Sequence, residues 1–305
     1  MGAADIVPGV SGGTIAFVTG IYERLLAAIN SFTPSAYQLI KDRSLRRFLR
    51  DSDFVFLIIL LAGILTSVFS LATMIAIAIV EHPIKVWSFF CGLIIASAFI
   101  VGGDIARWRV TVIVGVVLGA LVALFITMSK LVTIEPTLIG AFISGMVAIS
   151  AMILPGISGS FLLLLLGTYS FVIGAIKSLD FAVIFVFALG CGVSLLVTAR
   201  LIVWTLSRYR DVTLAFLLGL MLGSINKIWP WKQTLSYRLK SSGESVPLEQ
   251  VSVLPREYAV VTGAPAEIVS ALVWFGLGLV SITVIVVALK LSVRRQNSGV
   301  TNGNV

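Results

Sequence analysis

Histidine is almost absent from this chain: His82, beside Pro83, is the only copy in 305 residues. That excludes the class of membrane phosphatase that needs imidazoles as both nucleophile and acid/base. Cysteine is nearly as rare. Cys91 and Cys191 both fall inside apolar runs, where they read as packing residues and supply neither a disulfide framework nor a metal site. Charged side chains make up only 12% of the sequence. No segment combines the basic start and small-residue cleavage site of a signal peptide. The 22 Lys and Arg outnumber the 14 Asp and Glu, giving a net charge of +8. They lie between apolar segments and form no basic domain, so they read as orientation signals and lipid-headgroup contacts, with no nucleic acid as partner.

Apolar residues fill the space instead, at 58% of the chain, which marks an integral membrane protein. Asp53 to Val80, Val110 to Met128, Phe181 to Leu206 and Pro265 to Leu289 reach transmembrane length. Val86 to Val101 and Val212 to Ile225 are shorter spans that extend into their flanks.

Two stretches interrupt this pattern in the same way. Ala4-Asp5-Ile6-Val7-Pro8-Gly9-Val10-Ser11-Gly12-Gly13 leads to Gly20-Ile21-Tyr22, and Ala151-Met152-Ile153-Leu154-Pro155-Gly156-Ile157-Ser158-Gly159-Ser160 leads to Gly167-Thr168-Tyr169. Ala4, Ile6, Pro8, Gly9, Ser11, Gly12, Gly20 and Tyr22 recur identically in the second copy. Apolar composition does not produce a shared Pro-Gly-x-Ser-Gly. A weaker alignment follows, in which Asp53-Phe54, Gly63 and Ser67 match Asp180-Phe181, Gly190 and Ser194. Phe89, Gly92, Leu93 and Ser97 likewise match Phe216, Gly219, Leu220 and Ser224.

If each broken motif is a hairpin that enters and leaves on one side, three crossings separate the two. The second hairpin must then enter from the opposite face. The expected fold is an all-α polytopic membrane protein with an inverted-topology internal repeat, two re-entrant helical hairpins and about six full transmembrane helices. Residues 1–128 form the first repeat, with its hairpin at about 1–29, a basic cytoplasmic segment at 30–52 and three spans. Residues 129–305 form the second, with its hairpin at about 131–179, three spans and an external loop at 226–263. The six spans fall near 53–80, 86–102, 110–128, 181–206, 212–226 and 265–290. This topology places twelve Lys and Arg inside against eight outside, which follows the positive-inside rule and puts both chain ends in the cytoplasm. The segment from Asn30 to Ser52, with Lys41, Arg43, Arg46, Arg47 and Arg50, reads as a surface amphipathic helix or as a solvated basic loop. Trp229-Pro230-Trp231 reads as part of an aromatic belt, with substrate stacking as the lesser reading.

Broken backbone at membrane depth is tolerated only inside protein or against a polar cavity. Amides at Gly9, Ser11, Gly12 and Gly13, ahead of a helix starting near Thr14, form the beginnings of an anion site. Gly156, Ser158, Gly159 and Ser160 repeat the arrangement after Pro155. Tips entering from opposite faces would meet near the midplane and hold one anionic group. The bland alternative is that Pro8 and Pro155 merely kink helices. Arg24 and Arg200 are candidates to neutralise an anionic substrate, with Glu23 or Asp5 as proton carriers. Alternatively Glu23, Arg24 and Arg200 snorkel at the interface.

Pro8-Gly9-Val10-Ser11-Gly12-Gly13-Thr14-Ile15-Ala16, followed by Gly20-Ile21-Tyr22-Glu23-Arg24-Leu25, resembles the prokaryotic polyprenyl-phosphate transporters, long catalogued as a membrane domain of unknown function. The motif from Pro155 to Ser160 fits the same family. The resemblance implies transport of undecaprenyl phosphate, the C55 carrier lipid, from the outer to the inner leaflet of the cytoplasmic membrane of a prokaryote. The carrier would then be reloaded for peptidoglycan and related polymers. It implies a flippase-type transporter and no enzyme, with membrane lipid as its surroundings and no cofactor. Coupling to a proton or sodium gradient is compatible with it. Members of the family usually carry an apolar half-helix before the first motif; only seven residues precede Pro8, so the first hairpin is expected to lack its entering arm. The competing readings are a small-anion secondary transporter and, less favoured, a membrane lipid pyrophosphatase built on Glu and Arg clusters. Nothing in the sequence specifies an oligomeric state.

Overall fold

The computed structural model describes residues 1–7, 10–31, 52–129, 134–239 and 245–301. Pro8, Gly9 and the basic segment from Phe32 to Asp51 lie outside the described residues. Among the described residues six helices are long and apolar enough to cross a membrane: α4 (Phe54–Glu81), α5 (Pro83–Gly103), α6 (Val110–Met128), α10 (Phe181–Arg208), α11 (Arg210–Ile228) and the Ile268–Leu291 part of α13 (Ile268–Thr301). Each matches a predicted span to within a few residues. The starts follow ordinary helix chemistry. Pro83 opens α5 where its missing N–H costs nothing, and the Asp180 carboxylate caps α10 by accepting from Val183 N at 3.3 Å. α4 carries no buried residue along its length, as suits a helix sided by lipid.

Between these spans lie the two interrupted segments. The first runs α1 (Gly2–Asp5), α2 (Gly12–Val18) and α3 (Tyr22–Ser31); the second runs α7 (Leu138–Ile153), α8 (Gly159–Leu165) and α9 (Tyr169–Ser178). Each contains a second discontinuity that the Pro-Gly motif does not mark, because α2 and α3 meet at 110° and α8 and α9 at 107°. Gly20 and Gly167 sit at these bends with φ of +77° and +69°, a left-handed conformation that a Cβ disfavours. The bends therefore explain why glycine recurs at this position in both copies. In the second copy α7 and α8 run back along one another. Ile134 N–H donates to Leu166 O at 3.1 Å at their base, and Gly159 lets α8 approach the Ala148 carbonyl of α7.

Close helix contacts at glycine also recur. In one pair, Gly92 of α5 lies against the Phe275 carbonyl of α13, and Gly278 of α13 lies against the Phe89 carbonyl. In the other, Gly219 of α11 lies against the Val116 carbonyl of α6, and Gly119 of α6 lies against the Phe216 carbonyl. Phe89 and Gly92 are the residues that align with Phe216 and Gly219. A side chain at any of the four glycines would collide with a facing backbone, so small residues set how near these helices come.

The structure corrects the all-α expectation in the loop after α11. Strand β1 (Lys232–Leu239) pairs antiparallel with β2 (Ser245–Ser252), with Lys232 opposite Ser252 and Thr234 opposite Gln250. Helix α12 (Pro255–Thr262) follows. Thr234, Tyr237, Val246 and Val251 are the residues of these strands that favour a pleated surface. The hairpin is anchored by tryptophan: Trp229 Nε1 donates to Val253 O at 2.9 Å, and Trp231 Nε1 to Ala266 O at 2.8 Å. Trp231, Ile84 and Ala271 form a small apolar core, with Tyr258 and Val253 packed on it. By contact, the chain divides into one compact unit of Met1–Ile75 with Ser97–Ser224, and another of Ala76–Ala96 with Ile225–Val305.

Candidate functional site

The two broken motifs touch inside the first unit. Ser11 takes an extended conformation as N-cap of α2, and its hydroxyl accepts from Gly13 N at 3.1 Å. The same hydroxyl donates across to Met152 O at 3.0 Å. Thr14 is wholly buried and its Oγ1 accepts from Gly156 N at 2.9 Å. These bonds tie the start of α2 to the end of α7. The fit is close: a Cβ on Gly13 would stand 2.6 Å from the Ile153 carbonyl oxygen. Gly156, at φ +91°, presses against α11, where a Cβ would stand 2.9 Å from the Leu220 carbonyl oxygen. Helix α2 begins at Gly12, two residues earlier than its predicted start near Thr14.

The copies differ in what satisfies their amides. Gly12 N donates to Asp5 Oδ1 at 2.7 Å, while Asp5 Oδ2 is buried with no hydrogen-bond partner among the described residues. The carboxylate occupies the place at the N-terminus of α2 that an external anion would seek. In the second copy Met152 stands in Asp5's place, and Ser158 Oγ pairs with Ser160 Oγ at 2.9 Å. Ser158 and Pro155 are buried and Ser160 is half-buried.

Of the four predicted charge partners, only Asp5 reaches the tips. Arg24 forms a bidentate pair with Asp53, at 2.6 Å from Nε and 3.0 Å from Nη2, and lies over the Phe56 ring. Hydrogen bonding to that guanidinium holds the Asp53 carboxyl below the usual carboxylate range. Glu23 pairs with Arg210 at 2.8 Å, with both side chains more than half exposed. Arg200 is exposed on α10. These are solvated pairs at helix ends, where each is worth little to stability. Among the described residues no three His, Cys, Asp or Glu side chains gather into a metal site.

Sequence reasoning missed a group of hydroxyls beside the second tip. Ser150 Oγ donates to Met146 O at 2.9 Å and lies 2.5 Å from Ser194 Oγ and 3.1 Å from Thr198 Oγ1. The signal was faint, because serine and threonine are common in membrane helices and hydrogen-bond their own backbone.

A sequence profile described as undecaprenyl phosphate translocase-like matches residues 1–246. A polyprenyl-phosphate transporter of Vibrio cholerae is 49% identical over 273 residues, covering 90% of this chain and 89% of the relative. One from Staphylococcus aureus is 33% identical over 248 residues, covering 75% of this chain and 83% of the relative. No solved structure matches the chain.

Proposed function

Because the chain belongs to the undecaprenyl phosphate translocase-like family, we propose that it is a transporter that carries undecaprenyl phosphate from the outer to the inner leaflet of the cytoplasmic membrane, returning the carrier for envelope polymer synthesis. The observation that carries this reading is the direct meeting of the two motifs, Ser11 to Met152 and Gly156 to Thr14. A phosphate monoester suits paired helix starts, since its oxygens accept several N–H donors at once while the prenyl tail stays in lipid. The crossed glycine contacts of α5 with α13 and of α6 with α11 support an inverted repeat, because equivalent residues make equivalent contacts in both.

The amides of Gly12, Gly13 and Gly156 already have partners, so at these three the headgroup binds by exchange. Asp5, Ser11 and Thr14 release the amides of Gly12, Gly13 and Gly156, and phosphate oxygens replace them. Swapping one acceptor for another leaves the count of paired donors unchanged, which keeps the step shallow. Two anions cannot share the Gly12 amide cheaply. A proton on Asp5 removes the competing charge, so Asp5 is the favoured coupling group; a sodium ion beside it would act alike.

The test is a leaflet-resolved measurement of C55 phosphate in proteoliposomes, comparing wild type with Ser11→Ala, Ser158→Ala and Arg24→Ala. The first two are expected to slow translocation strongly and the third to leave it nearly intact. Unchanged translocation in both serine variants, in folded protein, would overturn the reading.

A further inference from the structure

An open-sided groove of about 300 Å³ lies beside the second break. Met146 and Val147 of α7, Leu154 and Ile157 of the break, Leu162 of α8 and Ser194 of α10 line it. Leu154 and Ile157 bracket Pro155-Gly156, so the groove begins where the second tip ends. The hydroxyls in its wall are satisfied internally. Ser150 spends its proton on the Met146 carbonyl and accepts from Ser194 and Thr198, which leaves no hydroxyl seeking a ligand. The surface offered is in effect hydrocarbon, and half-buried residues such as Val147 and Leu154 keep part of it uncovered.

We propose that this groove receives the phosphate-proximal isoprene units of the substrate, an inference that rests on the phosphate reading of the tips. A molecule seated in it has its polar end at Gly156, Ser158 and Ser160 and its chain running out along α7. The volume lies at the lower end of small-molecule pockets, roughly 300–1,000 Å³, and fits the first units of a prenyl chain while the remainder stays in lipid. A prenyl chain suits such a slot better than a saturated acyl chain. Its double bonds remove rotors, so less conformational freedom is lost on binding, and its methyl branches fill the gaps between Leu154, Ile157 and Leu162. The groove would thus select the chain, and the tips the phosphate.

The experiment measures binding of four ligands to the full chain in nanodiscs: farnesyl phosphate, lysophosphatidate, farnesol and inorganic phosphate. Val147→Trp fills the groove, and Leu154→Ala removes a wall should the larger residue prevent folding. Wild type is expected to bind farnesyl phosphate at least about tenfold more tightly than lysophosphatidate, a gap of about 1.4 kcal/mol. Either variant should erase that preference while leaving inorganic phosphate affinity unchanged. Farnesyl phosphate binding at wild-type strength in the variants overturns the inference, as does equal wild-type affinity for lysophosphatidate, which would make the groove a general acyl site. Failure of the phosphate reading looks different: Thr14→Val and Ser158→Ala would leave inorganic phosphate and farnesyl phosphate affinities both unaltered.

Discussion

Replacing Thr14 by valine is the most direct trial of the contact between the two motifs. Thr14 is fully buried, and its hydroxyl oxygen is the acceptor for the Gly156 amide at 2.9 Å. Valine keeps the shape and deletes that oxygen, leaving a buried N–H unpaired at about 1–3 kcal/mol. The bond forms only while the tips are joined. Its loss should therefore shift the balance between joined and parted tips by about 5- to 150-fold. Thr14→Ser keeps the oxygen and removes one methyl, a cavity cost of about 1 kcal/mol that bears less directly on the tips. Hydrogen exchange of the peptide from Ile153 to Ser160, in nanodiscs, reads the difference through the Gly156 amide. Exchange in Thr14→Val should accelerate by the factor above, and in Thr14→Ser by much less. If valine exchanges like wild type, or serine as fast as valine, this hydrogen bond does not hold the tips together.

Asp5→Asn removes the carboxylate charge at the Gly12 amide; under the proposed coupling, headgroup binding should tighten and transport should lose its dependence on an imposed pH gradient, both measurable in proteoliposomes. Gly20→Ala and Gly167→Ala place a Cβ at φ of +77° and +69°, so each should cost roughly 1–2 kcal/mol and lower the melting temperature in detergent, whereas Gly63→Ala, where a Cβ meets nothing, should be mild. Lys232 in β1 donates to the Lys227 carbonyl and lies over Trp87, and burial, with the charge of Lys227, pushes its ammonium down to about 7. Above that pH the unfolded chain holds a proton that the folded chain has released, so stability should rise from pH 7 toward 10. Lys232→Met should flatten that rise in a thermal-shift series.

The spans were legible because a membrane helix is a matter of length and hydropathy, and both are local. The break at Pro155-Gly156 was legible for a related reason, since a proline and a glycine together resist helix whatever surrounds them; its counterpart Pro8-Gly9 lies outside the described residues. The second bends, at Gly20 and Gly167, were visible as repeated glycines but not as turns, because one glycine in an apolar run has many uses. The ion pairs were not legible. Glu23 finds Arg210 and Arg24 finds Asp53 only once the helices have packed, and sequence carries no distance between them. The β-hairpin is indistinguishable from a loop in the sequence because it contains too few apolar residues to stand out beside the spans. Its partner is a tryptophan anchor, not a continuous core. Asp5 stands out in the sequence as a charge but not as the cap on Gly12, because the second copy, with Met152, offers no matching pair.

The glycine contacts also bear on how the protein is made. Phe89 and Gly92 of α5 find their counterpart on α13, the last of the six described spans to be synthesised. Until then the Gly92 face of α5 lacks this partner. Each of these two contacts joins a span made early to one made late, so neither contact forms until the later span has been synthesised. Two separately expressed halves should accumulate poorly alone and recover when produced together.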